Sequence, residues 1–536
     1  MHRVNFGLRN RLDSTQNIII NGGLSYSLGN TNSNSFSESL LDASMINTLS
    51  NLNQSDKSGL LANFNGTYQK MLNQKQTVLK LSGYGSYSKS INNTNFINSL
   101  WTLDNGAQPV DNQFLDNTTD ELSYSVKVGM TQKIGKYYYI EPQVHLGTSD
   151  ENLDRVRGNL ALSDEVISSL SPNFEKKYQW IRPGISLKRN TDKTQFNVGL
   201  QAEIGELNSK LWGEDINQTN FLYFTPRLSY EYEYKTGRRL NFFYNSSVTT
   251  PTSDQLLPVV NSINPLSAFY GNPDLKPEYA HTANLQWWIF DQFSFTSLML
   301  SLNGSYTMDK INWKSSVDQQ LIQSSTLANV TDDYQASANV DFSTPIKKLG
   351  LKVDMSIEER WNQGINYIND IENENTNLSH RFSLSFENRK KKKWDVVTGA
   401  AITLQNSWYS VQNTLNNQYF DFSWFGELRF NPNDSWNFEV VADVTNYNDL
   451  GFNKSVQVPL LSAEISYHFL KNKRGQLSLN GYDLLNQNTG IQRLNELNYL
   501  RVIQSNSIGR YVMLSFKFRL NKFGGNGNGI EVKMKR

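Results

Sequence analysis

Hydrophobic and polar residues alternate with a period of two along most of this chain. In the last long segment Val512, Leu514, Phe516, Phe518 and Leu520 fall on one side, and Tyr511, Met513, Ser515, Lys517 and Arg519 on the other. A period of two marks a β-strand with one apolar and one polar face. Leu351, Val353, Met355 and Ile357 oppose Lys352, Asp354, Ser356 and Glu358 in the same way. Phe382, Leu384 and Phe386 oppose Arg381, Ser383, Ser385 and Glu387. Phe438, Val440, Ala442 and Val444 oppose Asn437, Glu439 and Asp443, and Ala463, Ile465, Tyr467 and Phe469 oppose Ser462, Glu464, Ser466 and His468.

A soluble β-sandwich alternates too, but three features point to a membrane barrel. Many segments run to ten residues or more, against about 5–6 in soluble sheets. The polar side carries ionisable groups even mid-strand, as a watery lumen permits. The connections alternate between short and long. Short turns are read at 13–17, 70–76, 134–136, 190–193, 236–238, 291–292, 344–349, 389–393, 431–435 and 471–475. Their residues are turn formers, as in Arg-Asn-Thr-Asp at 189–192, Lys-Thr-Gly-Arg at 235–238 and Asn-Pro-Asn-Asp at 431–434. Long polar stretches lie between them, among them 30–59, 90–119, 149–176, 251–278 and 487–506. Outer-membrane barrels have short periplasmic turns and longer external loops, which fixes the orientation. Aromatics near the short turns, Tyr137, Tyr138, Tyr139, Phe242, Phe243, Trp394 and Trp436, are expected to form an interfacial girdle.

The reading is therefore an all-β transmembrane antiparallel β-barrel of about 21–22 strands. Ten hairpins supply about 20 strands and 507–520 adds one more. Both the first segment, 1–12, and the last run down to the periplasm. One upward strand is expected before Met1, in a parent barrel of about 22 strands, the size that encloses a plug. Residues 1–520 form the barrel. Residues 521–536, with Gly524, Gly525, Gly527 and Gly529, form a flexible periplasmic tail.

Composition sharpens this picture. Aromatic residues make up 12% of the 536 residues while hydrophobic residues reach only 38%, which suits lipid-facing rings over a wet interior. No run approaches the roughly 18 apolar residues of a transmembrane helix, whereas a barrel strand needs only about 9–11. The net charge is +1, so no strong field points to nucleic acid. There is no cysteine, hence no disulfide, thiolate metal site or cysteine nucleophile. The chain opens on Met-His-Arg-Val-Asn-Phe-Gly, already alternating, so an export signal is expected upstream.

Two stretches carry a family resemblance. Asn272-Pro273-Asp274-Leu275-Lys276-Pro277-Glu278 resembles the NPxLKPE signature of TonB-dependent receptor barrels. Tyr482-Asp483-Leu484-Leu485-Asn486-Gln487-Asn488, followed by Gly509 to Phe516, is similar to the end of the related Bacteroidetes-type outer-membrane barrels. The resemblance covers essentially the whole chain as barrel. It implies a transporter that imports a bulky ligand across the bacterial outer membrane with energy passed from the inner membrane. Family members also carry an N-terminal plug and a TonB-contacting segment. Neither is read in this chain, so the plug and the TonB system are expected partners only through an upstream segment. Outer-membrane lipids are the expected surroundings, and a surface lipoprotein is a further candidate partner. The competing readings are a passive porin or structural barrel, and a secreted soluble all-β binding protein.

Nothing in the sequence names a site. The Pro-rich loop 251–278 could close over a ligand, or be rigid because its prolines fix φ. Arg389-Lys390-Lys391-Lys392-Lys393 reads as a solvated turn near lipid headgroups in preference to a nucleic-acid patch. Histidines 2, 145, 281, 380 and 468 have no metal-ligand spacing, and no catalytic fingerprint is found. Asp332-Asp333 and Glu358-Glu359 are strand neighbours, so each pair should split between opposite faces. Trp101, Trp212, Trp313, Trp361 and Trp408, among Asn-rich loops, could stack on sugars or peptides, though structured loops explain them as well. No catalytic, cofactor-binding or metal residue is assigned.

Overall fold

Each strand pairs with its neighbour in sequence along almost the whole chain. The computed structural model describes residues 2–519, apart from 42–43, 74–76, 163–164, 412–415, 450–453, 471–472, 489–490, 497–498 and 505–507. The expected tail at 521–536 lies outside the described residues. One sheet holds 24 strands, three of them fragments: Gly106–Ala107, Glu165–Val166 and Ser267–Phe269. The other 21 form an up-and-down antiparallel meander. They are β1 (His2–Arg11), β2 (Gln16–Leu41), β3 (Ser44–Met71), β4 (Val78–Thr102), β5 (Asp111–Lys133), β6 (Tyr138–Asn159) and β7 (Asn173–Asn190). Next come β8 (Thr194–Leu211), β9 (Glu214–Lys235), β10 (Arg238–Thr249), β11 (Glu278–Asp291), β12 (Thr296–Val317), β13 (Gln323–Ile346) and β14 (Leu351–Ile368). The last seven are β15 (Ile371–Asn388), β16 (Trp394–Tyr409), β17 (Asn417–Phe430), β18 (Trp436–Asp449), β19 (Lys454–Phe469), β20 (Gly475–Tyr482) and β21 (Tyr511–Phe518).

Parity decides what each residue faces. On β5, Leu122, Tyr124, Val126, Val128 and Met130 are all more than a third exposed, while Ser123, Ser125 and Lys127 lie on the other side. The neighbouring strands leave their apolar residues open on the same side: Val144 and Leu146 on β6, Ile181 and Ile185 on β7, Leu200 and Ile204 on β8, Leu222 and Phe224 on β9. A continuous apolar surface of this extent belongs against lipid. The opposite parity carries Glu141, His145, Arg182, Glu203 and Arg227 toward the lumen.

All ten short turns fall where turn chemistry places them, with edges shifted by a few residues. A chain of rings runs along the lipid side just above several of them. Trp394, Phe430, Phe438, Trp436, Tyr467, Phe469 and Phe516 follow one another at centroid spacings of 4.1 to 6.2 Å. This is the periplasmic girdle expected of Trp394 and Trp436. Phe243 departs from that expectation. It is one residue from lipid-facing Phe242, so it points into the lumen, beside Asn245 and Asn284.

The long external excursions are present, but most of their length is strand. β2, β3 and β4 have 26, 28 and 25 residues, more than twice what crosses the membrane. Residues 30–41 and 44–56 pair with each other instead of looping. Two external connections shrink to two residues with positive φ, Trp212-Gly213 (52° and 84°) and Asn369-Asp370 (50° and 63°). Two successive positive φ values match the twist of a tight hairpin. Of the stretches expected to be irregular, 251–278 stays mostly so, and 487–506 contains a separate hairpin of Ile491–Glu496 with Tyr499–Gln504.

Among the described residues the two ends of the meander are not paired with each other: β1 pairs only with β2 and β21 only with β20. Both run downward, so a direct ladder between them would be parallel, unlike every other junction between wall strands that adjoin in the meander.

Leu514 sits on the lipid side of β21, opposite Leu479, and Ser515 on the lumen side, opposite Ser478. Leu514→Arg should cost about 2–4 kcal/mol of folding stability near the bilayer midplane, and Ser515→Arg much less. Folding titrations into lipid vesicles measure both. Equal losses would refute the facing assignment.

Candidate functional site

The residues that meet over the extracellular end come from separate parts of the wall. From one side rise the external halves of β3 to β6. Their inward face buries Asn47, Leu49, Phe96, Asn98, Leu115, Arg155 and Arg157. From the other side comes the connection between β10 and β11, residues 250–277. A single helical turn, α1 (Ser253–Leu256), starts it. A reciprocal capping box fixes α1: the Thr252 hydroxyl accepts from the Gln255 amide, and the Gln255 side chain accepts from the Thr252 amide.

This connection folds inward, and its apolar residues supply the only sizeable buried core among the described residues. Leu256, Leu257, Val259 and Leu275 pack on lumen-facing Leu153, Phe174, Leu207, Ile311 and Leu327. Gly271 permits the tightest approach, since a Cβ there would lie 2.4 Å from the Leu257 carbonyl oxygen. The Asn-Pro-Asp-Leu-Lys-Pro-Glu stretch is the mooring of the loop. The Asn272 side chain donates to the Leu327 carbonyl at 2.9 Å, and Asn217 donates to the Pro273 carbonyl. The Lys276 amide donates to Asn329 Oδ1 at 2.8 Å. The Glu278 carboxylate accepts from the Ile311 amide at 2.8 Å and pairs with Lys310 at 3.0 Å.

The roof is closed by side chains that reach across the mouth to backbone carbonyls. Asn98 donates to Ile263 O at 2.7 Å, Arg157 to Ser262 O at 3.0 Å, and Lys176 to Pro251 O at 3.3 Å. Arg155 pairs with Asp254 at 3.4 Å, and the Arg157 guanidinium stands 5.4 Å over the Phe96 ring. Burial lowers the pKa of both arginines, and Asp254 partly offsets this at Arg155. The tip between β12 and β13 joins the closure. Asn47 donates to Gln320 O at 2.6 Å, and the Gln320 amide reaches Asp104 at 3.2 Å.

Beneath the roof the lumen wall offers two kinds of surface. On β5 to β9 it is charged and aromatic. Arg182 pairs with Glu203 at 2.8 Å and lies 5.0 Å over Trp180, and Tyr178 also donates to Glu203. On β10 to β14 a groove of about 640 Å³ is lined by Phe243, Asn245, Asn284, Asn303, Ser337 and Arg360. Arg360 is paired with Glu358, so the groove presents mainly uncharged amides and hydroxyls beside one ring face.

The tryptophans singled out in the sequence are not brought together. Trp313 packs edge-on against Phe269, Trp361 joins Tyr334 in a row of lipid-side rings, and Trp212 forms a tight turn. The acidic neighbours split as expected: Tyr306 bonds Asp332 while Gln335 bonds Asp333, and Glu358 meets Arg360 while Glu359 meets His380. Asn47, Asn98, Arg155 and Arg157 were not legible beforehand, because their partners lie about 100 to 270 residues away.

The model of the outer membrane protein beta-barrel family matches residues 70–386 and 355–518, more than half of the chain. The chain belongs to that family. It is accordingly a bacterial outer-membrane barrel, and the soluble all-β alternative falls away. Among solved structures it is similar to the ferric citrate transporter FecA in its unliganded form, at 10% identity and a TM-score of 0.44, covering 96% of this chain and 78% of that one. The copper transporter OprC gives 10% and 0.44, with 96% and 80% covered. The siderophore receptor PirA from Pseudomonas aeruginosa gives 10% and 0.40, with 97% and 80% covered. No curated protein matches the chain.

Leu275→Ala, at a site with no exposed surface, should cost about 2–5 kcal/mol and free the 250–277 connection for limited proteolysis while the wall survives. With no native thiols, Asn98→Cys combined with Ile263→Cys should be joined by a short bis-thiol cross-linker. Failure to cross-link in the folded barrel would contradict the closed roof.

Proposed function

We propose that this chain is the wall and roof of a TonB-dependent transporter that takes up a bulky ligand. The roof carries this reading, since a passive pore gains nothing from an arginine-anchored cover over its entrance. Family membership and the NPxLKPE-like mooring support it. The uncharged groove under the roof would hold a polar ligand by amide and hydroxyl hydrogen bonds. A surface lipoprotein would dock on the external extension of β2 and β3, where Phe36, Leu40 and Leu52 are exposed.

We further propose that an upward strand lies between β1 and β21, where it would pair antiparallel with both and give an even count of 22. Plug and TonB-contacting segments would accompany that strand upstream.

Two measurements test these statements. In planar bilayers the complete protein should show no steady open conductance, and uptake in cells should stop when TonB is deleted. A stable ohmic pore, or TonB-independent uptake, would turn the reading to a porin. For the wall, cysteines at Leu8 and Phe516 should not form a disulfide. They should be joined by a reagent spanning about 10 Å, two strand spacings. Ready disulfide formation would mean that β1 and β21 meet directly.

A further inference from the structure

Seven cationic residues crowd two neighbouring periplasmic turns. The β13–β14 turn holds Lys347 and Lys348, and the β15–β16 turn holds Arg389, Lys390, Lys391, Lys392 and Lys393. The turns are side by side, with the Arg389 amide bonded to Gly350 O at 2.9 Å. They do not use their charges alike. Lys391 folds back onto Glu387 and Asp395, and the hydrogen bond it donates to Glu387 raises its pKa. Arg389 lines a cavity on the lumen side with Lys352, Phe290 and Phe295. The remaining five lysines, 347, 348, 390, 392 and 393, are exposed and make no ion pair among the described residues.

Directly above these lysines the wall is lipid-facing. Ile346, Phe386, Trp394 and Val396 are each more than a third exposed on that side. Trp394 opens the periplasmic girdle, stacking on Phe430 at 4.1 Å. The lysines therefore stand at headgroup depth on the periplasmic leaflet, with Leu349, 68% exposed, between the two groups. Several other turns differ: 431–434 carries only Asp434 as a charge, 191–193 has one acid and one base, and in two further basic turns Arg239 is paired with Glu233 and Lys473 with Asp434. These five lysines give this arc of the rim a positive field.

We propose that this arc is a binding site for anionic phospholipid of the periplasmic leaflet. The five lysines contact headgroup phosphates, and Leu349 and the apolar column above it contact the upper acyl chains. Unpaired cations just below a hydrophobic surface fit a ligand with a phosphate at one end and hydrocarbon at the other. A free anion would leave Leu349 bare. An acidic protein segment would have no use for the lipid-facing column.

The test uses the full chain in nanodiscs of phosphatidylethanolamine, with and without phosphatidylglycerol, read by native mass spectrometry of retained lipid. The wild type should enrich phosphatidylglycerol over the bulk mixture. The fivefold variant Lys347→Gln, Lys348→Gln, Lys390→Gln, Lys392→Gln and Lys393→Gln should lose that enrichment by at least about tenfold. Heat-modifiable gel migration verifies its folding. If it does not fold, the 347/348 pair and the 390/392/393 triple are tested separately, and each should lose part of the preference. Equal enrichment by variant and wild type overturns the proposal. So does displacement of the lipid by millimolar inorganic phosphate, which marks a free-anion site. Lysine-dependent binding of a poly-glutamate peptide with no preference for anionic lipid would mark a protein partner instead and would also overturn it.

Discussion

Backbone N–H and C=O groups inside hydrocarbon have no water to turn to, so every one that crosses must find a partner in the chain. That constraint organises this protein. It explains a meander in which β2 to β20 each lie between two neighbours, and it makes register strict. A slip of one residue would turn Leu122, Val126 and Met130 into the lumen and Lys127 into lipid. It also makes the two outer strands the weak point of the wall. β1 is exposed along all ten of its residues, and its second edge has no partner among the described residues.

Once the wall is fixed, its two ends are free to do different things. At the periplasmic end the strands stop together and the girdle rings mark the boundary. At the external end the ladders of β2 to β4 continue into water for a dozen residues or more, where neither face has to be apolar. The buried core lies there, at the level of Leu256, Leu257 and Leu275, and not within the membrane. The molecule thus spends its hydrophobic contacts inside the lumen on one connection, and the rest of the inner surface stays wet.

This division explains what the sequence disclosed. Inside the bilayer, alternation is enforced by lipid on one side and water on the other, so the strands and the ten short turns can be read directly. Outside it, β2 continues as Leu-Gly-Asn-Thr-Asn-Ser-Asn-Ser-Phe with no apolar stripe, and looks like a loop although it is fully paired with β3. The roof was visible only through the Asn272–Glu278 stretch. Its remaining anchors join residues such as Asn98 and Ile263, which no local pattern connects. Phe243 was placed on the wrong face because two adjacent aromatics cannot both look at lipid. The lysine turn at 389–393 was legible as a turn near headgroups, but its second half, Lys347 and Lys348, is brought beside it only by the pairing of β14 with β15.

Alongside the side-chain anchors at Asp254, Asn272 and Glu278, five anchors of the roof share one chemical detail. Asn98, Arg157, Lys176, Asn47 and Asn217 all donate from the framework to main-chain carbonyls of the connecting segments, at Ile263, Ser262, Pro251, Gln320 and Pro273. A carbonyl is present whatever the side chain. The outward residues of these segments can therefore be exchanged without unmooring the cover, provided that its shape and its buried leucines are kept. Phage and antibodies meet this part of a cell surface first. A cover tied down by its backbone can change its appearance to them while still fitting the same entrance.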